Sequence, residues 1–307
     1  MTTFRTAFRT VDELRAGVNA MLETVLPGRA PAPILEAMKY GLVGGGKRFR
    51  PVLALAMAEA VAARDGRALD AAVNDTLPGA CALEYVHTYS LIHDDLPAMD
   101  NDVLRRGRPT THVVHGDGLA VLAGDGLLTH AFYLLSTATP SDAALRAIRV
   151  LAFAAGADGM VGGQAIDLVA AGKVLSVPAK PLTDTDLSLM HHLKTAALIC
   201  ASAEIGAILA GGDLATQDAA VRYATQVGLA FQIMDDVLDV EGSTADLGKT
   251  AGKDAADDKP TYVSRFGVDG ARTQAERCVA IAKDILAKAR LDGRLPEIAE
   301  WTVTRKS

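Results

Sequence analysis

The sequence predicts an all-α protein built as a bundle of helices. Three observations carry this. Ala and Leu are abundant along the chain, and both favour helix. β-Branched residues rarely alternate with polar ones, so the signature of strands is weak. Several predicted helices are apolar on more than one face, as befits helices packed inside a bundle. In chain order, helices are expected over 11–26 and 33–43, separated by Pro27-Gly28. The second stops at the run Gly44-Gly45-Gly46. Next come 50–63, ended by Gly66, and 70–93, a long apolar run. Beyond Pro109 a helix is expected over 118–138, stopped before Pro140, and then a long one over 142–171. Pro178 and Pro181 break the chain before 185–210, which ends at Gly211-Gly212. Helices over 216–240, 271–290 and 294–304 complete the set.

The chain has 307 residues, of which 50% are apolar, ample for a sizeable core. No linker, charge block or composition shift marks a boundary, so one all-helical domain over 1–307 is expected. The 31 basic and 37 acidic residues give a formal net charge of −6, which argues against a general nucleic-acid binder. Cys81, Cys200 and Cys278 are scattered without metal spacing and read as reduced thiols, pointing to the cytoplasm. Met1 to Thr10 carries Arg5 and Arg9 but no hydrophobic signal core, and no apolar run reaches the length of a membrane span.

Two acidic clusters carry the chemistry: Asp94-Asp95-Leu96-Pro97-Ala98-Met99-Asp100 and Asp235-Asp236-Val237-Leu238-Asp239. Each ends an apolar, helix-compatible run. Acids crowded beside apolar residues repel one another and resist desolvation unless something positive binds them. Their oxygen donors suit hard divalent cations, Mg²⁺ foremost. The alternative is a pair of solvated helix ends. Asp235 and Asp239 are four residues apart and share a helix face. Asp94 has Ala98 at that spacing instead; Pro97 is expected to end the helix, so that a short loop swings Asp100 back towards Asp94.

Gly45-Gly46-Lys47-Arg48-Phe49-Arg50-Pro51 combines close backbone approach with positive charge, a combination suited to an anion. It is not a nucleotide-binding P-loop: Arg48 stands where Ser or Thr must ligate Mg²⁺, and no strand precedes it. Arg105-Arg106-Gly107-Arg108 follows the first acidic cluster and is read as a phosphate grip, with surface ion pairing as the alternative. His87 lies about two turns before Asp94 on nearly the same face. Lys194-Thr195 and Phe231-Gln232 are polar points beside apolar helix. Lys249, Lys253 and Lys259 lie in a Gly/Asp-rich stretch read as a loop and candidate lid. Gln164 and Asp167 interrupt an apolar helix and need partners, which a polar network near the metals would supply. His93, His191 and His192 are read as packing residues.

These segments, in this order, resemble the trans-isoprenyl diphosphate synthases, and among them the bacterial farnesyl diphosphate synthase type. The likeness rests on 45–51, 87–100, 104–110, 162–168, 192–195, 231–239, 248–254 and 258–262, and so spans nearly the whole chain. It implies a deep apolar pocket among the helices and a homodimer. It implies that Asp94, Asp100 and Asp235 carry three Mg²⁺ (Mn²⁺ able to substitute) around an allylic diphosphate, with Asp95 and Asp239 in support. Arg105, Lys194, Lys249 and Lys259 match the remaining grips on that diphosphate. Lys47, Arg50, His87 and Arg106 match the isopentenyl diphosphate site. Lys194, Thr195 and Gln232 match groups whose oxygens stabilise the allylic cation. Tyr89, followed by the small Ser90, stands at the position that governs pocket depth in the family, and implies that growth stops at C15. Met234 and Asn101 are minor departures from the family pattern. The rival readings are a geranylgeranyl diphosphate synthase, a terpene cyclase and a non-catalytic partner subunit. Retention of both acidic clusters and of Lys47, Arg50 and His87 argues against the last two.

Overall fold

The computed structural model describes residues 7–179, 182–241 and 261–305. These form a helical bundle: α1 (Val11–Thr24), α2 (Ala32–Val43), α3 (Phe49–Arg64), α4 (Leu69–Asp94), α5 (Thr111–His115), α6 (Asp117–Ser136), α7 (Ser141–Ala155), α8 (Met160–Ala170), α9 (Asp184–His191), α10 (Ala197–Leu209), α11 (Leu214–Glu241), α12 (Tyr262–Ala289) and α13 (Leu295–Thr304). The all-α expectation is borne out. A two-residue hairpin pairs Leu104–Arg105 (β1) with Arg108–Pro109 (β2).

Burial explains the layout. α3 is buried at every position from Pro51 to Ala62, and α10 at ten of its 13 residues, because both are apolar all round. α4 packs against α3, α6 and α10, while α11 packs against α10 and α12. Arg50 of α3 links the two acidic helix ends: it lines a cavity with Asp94 at the end of α4 and feels the charge of Asp235 on α11. Glu59, fully buried within α3, is held by an ion pair with Arg9 at 2.6 Å. Three helices start on reciprocal capping boxes: Thr10 with Glu13, Thr183 with Asp186, and Thr261 with Ser264.

Four expectations need correction. The helix expected over 142–171 is two helices, because Gly156 and Gly159 leave helical geometry between α7 and α8. The helix expected from residue 271 begins at Tyr262, started by the Thr261 cap and broken at Gly267, whose φ is +68°. The helix over 185–210 contains one π turn, His192–Ala196. Finally, Asp117–Ser136 and Thr185–Leu209 are long and apolar enough to cross a membrane by length and composition. Bundle helices meet that test because they too need apolar faces; 61% of the second helix's apolar window is buried.

Candidate active site

The face of α4 that carries His87, Ser90, Leu91 and Asp94 repeats at three and four residues, and all four line one cavity of about 360 Å³. Arg50 of α3 enters it, as do Met160, Gln164 and Leu168 of α8, and Lys194 and Thr195 of the π turn. Tyr89 is buried in its wall and meets His93 edge-on, with ring centroids 5.7 Å apart. Ser90 beside it returns its hydroxyl to the His87 carbonyl at 2.9 Å.

At the end of α4 the chain turns back on itself. The Asp100 N–H donates to the Asp94 carbonyl at 2.8 Å, which brings Asp100 round to Asp94 as the proline suggested. Burial pushes the Asp94 carboxyl up to about 6; the nearby Lys194 charge opposes this and the Asp100 charge adds to it. Asp95 points elsewhere. It is buried and accepts from Arg105 Nε at 2.8 and 3.0 Å, so the first cation after the cluster pins its second acid. Lys173, just past α8, donates to the Met99 carbonyl at 2.5 Å and pairs with Asp100 at 3.3 Å.

The second cluster divides likewise. Asp236 is buried and structural: it accepts from Gln232 Nε2 at 3.1 Å and from the Tyr262 N–H at 2.8 Å. Asp235 and Asp239 lie on the half-buried face. Asp235 pairs with Arg305 at 2.7 Å; the Arg305 guanidinium also caps the Phe231 carbonyl at 2.9 Å and lies 3.9 Å over the Phe231 ring. Among the described residues no three His, Cys, Asp or Glu side chains converge on one point, since cationic side chains and backbone N–H groups divide the acids.

The glycine-rich loop sends its basic residues in two directions. Arg48 has a left-handed backbone, φ +52°, and turns inward to pair with Glu84 at 2.6 Å. Lys47 lies over the Trp301 ring at 5.3 Å, its pKa lowered by burial and then by the charge of Arg305. Burial lowers Arg50 to about 10, opposed by Glu84 and Asp235, and its Nε is buried without a hydrogen-bond partner. Arg106 donates to the Gly45 carbonyl. His87 sits among these cations: burial first, then Arg50, Arg106, Arg105 and Arg48, hold its pKa well below 6.5, so it is neutral. The four residues assigned to isopentenyl diphosphate thus form one electrostatic cluster.

Lys194 leaves the π turn to pair with Asp167 of α8 at 2.7 Å, which gives the acid on that apolar helix its partner. π Turns are a frequent device for re-aiming a functional side chain. α8 approaches so closely that a Cβ at Gly163 would collide with the Lys194 backbone. Lys249, Lys253 and Lys259, with the lid they were expected to form, lie outside the described residues. Sequence reasoning missed Arg305, Lys173 and the Arg48–Glu84 pair. Only the last left a signal, an acid one turn before His87 on an apolar helix.

The polyprenyl synthetase family model matches residues 31–291. The chain belongs to the polyprenyl synthetase family. It is 43% identical over 280 residues to the farnesyl diphosphate synthase of Geobacillus stearothermophilus, covering 90% of this chain and 89% of that protein. It is 46% identical over 274 residues to large subunit 1 of the chloroplastic heterodimeric geranylgeranyl pyrophosphate synthase of Arabidopsis thaliana, covering 88% of this chain and 71% of that one. An apo crystal structure of an FPP/GFPP synthase from Zymomonas mobilis superposes with a TM-score of 0.77 at 35% identity, over 95% of this chain and 97% of that one. This polyprenyl synthetase is a prenyltransferase of the short-chain trans type.

Proposed function

We propose that this chain condenses isopentenyl diphosphate with dimethylallyl and then geranyl diphosphate to give (E,E)-farnesyl diphosphate. One observation carries the reading. A single apolar cavity joins Arg50 and His87 to Asp94 and Lys194, and has Tyr89 in its wall. Cationic and acidic groups on one apolar pocket suit two diphosphates and one growing hydrocarbon chain.

The acids fit magnesium. Their donors are all oxygens, and Asp94 and Asp100 are held close together, with the Asp94 carboxyl raised by burial and then by the Asp100 charge. Asp94, Asp100 and Asp235, supported by Asp95 and Asp239, would hold the ions, whose chemistry is to neutralise charge developing on a departing diphosphate. Lys194, with Arg105, Lys249 and Lys259, grips the allylic diphosphate, and Lys47, Arg50, His87 and Arg106 grip the other. As the C1–O bond of the allylic substrate breaks, the oxygens of Thr195 and Gln232 and the Lys194 backbone stabilise the carbocation. The double bond of isopentenyl diphosphate attacks C1, and the released diphosphate removes the proton. The apolar wall keeps out water that would convert the cation to an alcohol.

We further propose a cytoplasmic homodimer. The three cysteines are free thiols. The neighbouring helices α6 and α7 expose Val121, Leu122, Tyr133, Leu145 and Phe153, side chains that a partner surface would cover. The functional reading is tested by incubating pure protein with labelled isopentenyl diphosphate and dimethylallyl diphosphate, with and without Mg²⁺, and sizing the products. A C15 main product that requires Mg²⁺ is expected; a C20 main product would make it a geranylgeranyl diphosphate synthase.

A further inference from the structure

We infer that Glu84 is a positioning residue for isopentenyl diphosphate: through Arg48 it fixes the glycine-rich loop and gathers Arg50 and Arg106 at one side of the pocket. The inference rests on the diphosphate site proposed above and names the residue that builds it.

The geometry forms a continuous chain. Glu84 lies on α4 three residues before His87, about one turn deeper on the same face. It is 3% exposed, and its Oε1 accepts from Arg48 Nη1 at 2.6 Å. The other donors of Arg48 go to the Leu42 carbonyl at 2.8 Å and to Asn19 Oδ1 at 3.0 Å. The guanidinium therefore ties together α4, α2 and α1. Arg48 also holds a left-handed backbone, φ +52°, which a non-glycine residue adopts only where its surroundings enforce it. That turn puts Arg48 into the core and leaves Arg50 lining the pocket. The same loop presents the Gly45 carbonyl to Arg106. Gly46, at φ +133°, lets the Arg106 guanidinium approach the backbone; a Cβ there would push that guanidinium aside. From Glu84 the constraint thus runs through Arg48 and the loop to Arg106.

The electrostatics point the same way. Arg48, Arg50, Arg105 and Arg106 all act on His87, and so crowd one small region. Glu84 is the first counter-charge that favours the charged form of both Arg50 and Arg106. It lines a recess of about 50 Å³ with Arg105 and Arg106. A buried ion pair is a poor device for stability alone, since a well-packed apolar pair often serves as well or better. Its distinctive product here is a fixed loop and a convergent set of guanidinium groups.

The test uses Glu84→Gln and Arg48→Met, singly and together, with steady-state kinetics for each substrate and calorimetric binding of isopentenyl diphosphate. In Glu84→Gln the KM and Kd for isopentenyl diphosphate should rise about tenfold, as for loss of one charge-assisted contact. The KM for geranyl diphosphate should stay within about twofold. Arg48→Met should show the same split, and the double variant should be little worse than the worse single one, because the two act as one unit. Glu84→Asp, which keeps the charge, should recover part of the loss. Equal rises in both KM values, no rise at all, or additive losses in the double variant overturn the inference. If Glu84→Gln does not fold, Arg48→Met carries the same test. Loss of folding in both makes the pair purely structural and also overturns it. Wild type that binds no isopentenyl diphosphate refutes the functional reading itself, and the inference with it.

Discussion

Asp94 and its neighbour Asp95 show how far adjacent, chemically identical residues can diverge. Asp94 faces the cavity with a carboxyl pushed up to about 6, whereas Asp95 is buried against Arg105. Asp94→Ala should therefore cost at least about a hundredfold in kcat, as loss of several kcal/mol of metal-assisted stabilisation implies. The same loss is expected for Asp235→Ala. Near-normal turnover in both variants, or wild-type activity surviving excess chelator, would sink the metal assignment. His87 supports a second prediction. Its pKa is held well below 6.5 by burial and four guanidinium groups, so it serves as a neutral donor at physiological pH. His87→Gln, which keeps a neutral donor, should retain the KM for isopentenyl diphosphate within about threefold, and its pH profile should overlay that of wild type between pH 6.5 and 8, above the ordinary histidine pKa of about 6.5. Linkage has the matching sign. The unfolded chain takes up a proton below about pH 6.5 that the folded chain refuses, so stability falls with pH there. His87→Gln should flatten that fall; an unchanged acid limb in denaturant titrations would refute it.

At the scale of elements, the proposed product length rests on the wall that α4 supplies. Tyr89 is buried in the cavity lining, five residues before Asp94, beside the small Ser90. An aromatic ring cannot be pushed out of a packed wall cheaply, since overpacking costs about 1–3 kcal/mol. Tyr89→Ala should lengthen the cavity and shift product from C15 to C20 or beyond, read by chromatography of the dephosphorylated alcohols. A mutant that still stops at C15 would show that another wall sets the length. The elements also show what was legible. α1 to α4, α11 and α13 follow from apolar runs bounded by Pro and Gly, and their ends fall within about two residues of the expected ones, the usual scatter of helix boundaries or less. The break between α7 and α8 was hidden because Gly156 and Gly159 sit in a run whose hydrophobic period continues across them. The π turn was hidden because it arises from packing. α8 presses a side-chain-free Gly163 against Lys194, and no local pattern in 192–196 specifies that. The motif acids, cations and glycines were legible because their chemistry is local. Arg305 was not: it reaches Asp235 from 70 residues away, a juxtaposition only the packing of α13 against α11 creates.

At the scale of the whole molecule, α3, α4, α8 and the π turn build one pocket, and the outer helices bear on its rigidity. α6 packs along α4, the helix that carries both Tyr89 and Asp94. Its exposed side includes Val121 and Leu122, each over a third exposed, and Tyr133; neighbouring α7 exposes Leu145 and Phe153. Large apolar side chains exposed in such numbers on adjacent helices mark a surface that associates. Closed two-fold symmetry is the commonest solution for such a patch. A partner on this side would brace α6 against α4 and hold the pocket wall. Tyr133→Asp with Phe153→Asp should place two charges in that interface, where desolvating them without partners is costly. Light scattering of wild type should give a dimer mass, about twice the 32.0 kDa chain, and the double variant should move towards the monomer. The solvent-facing position of both side chains predicts that the helical circular dichroism is kept. If the variant remains a dimer, the partner covers another face. If it becomes a monomer and still makes C15 with unchanged KM values, the brace is unnecessary and each pocket is complete within one chain.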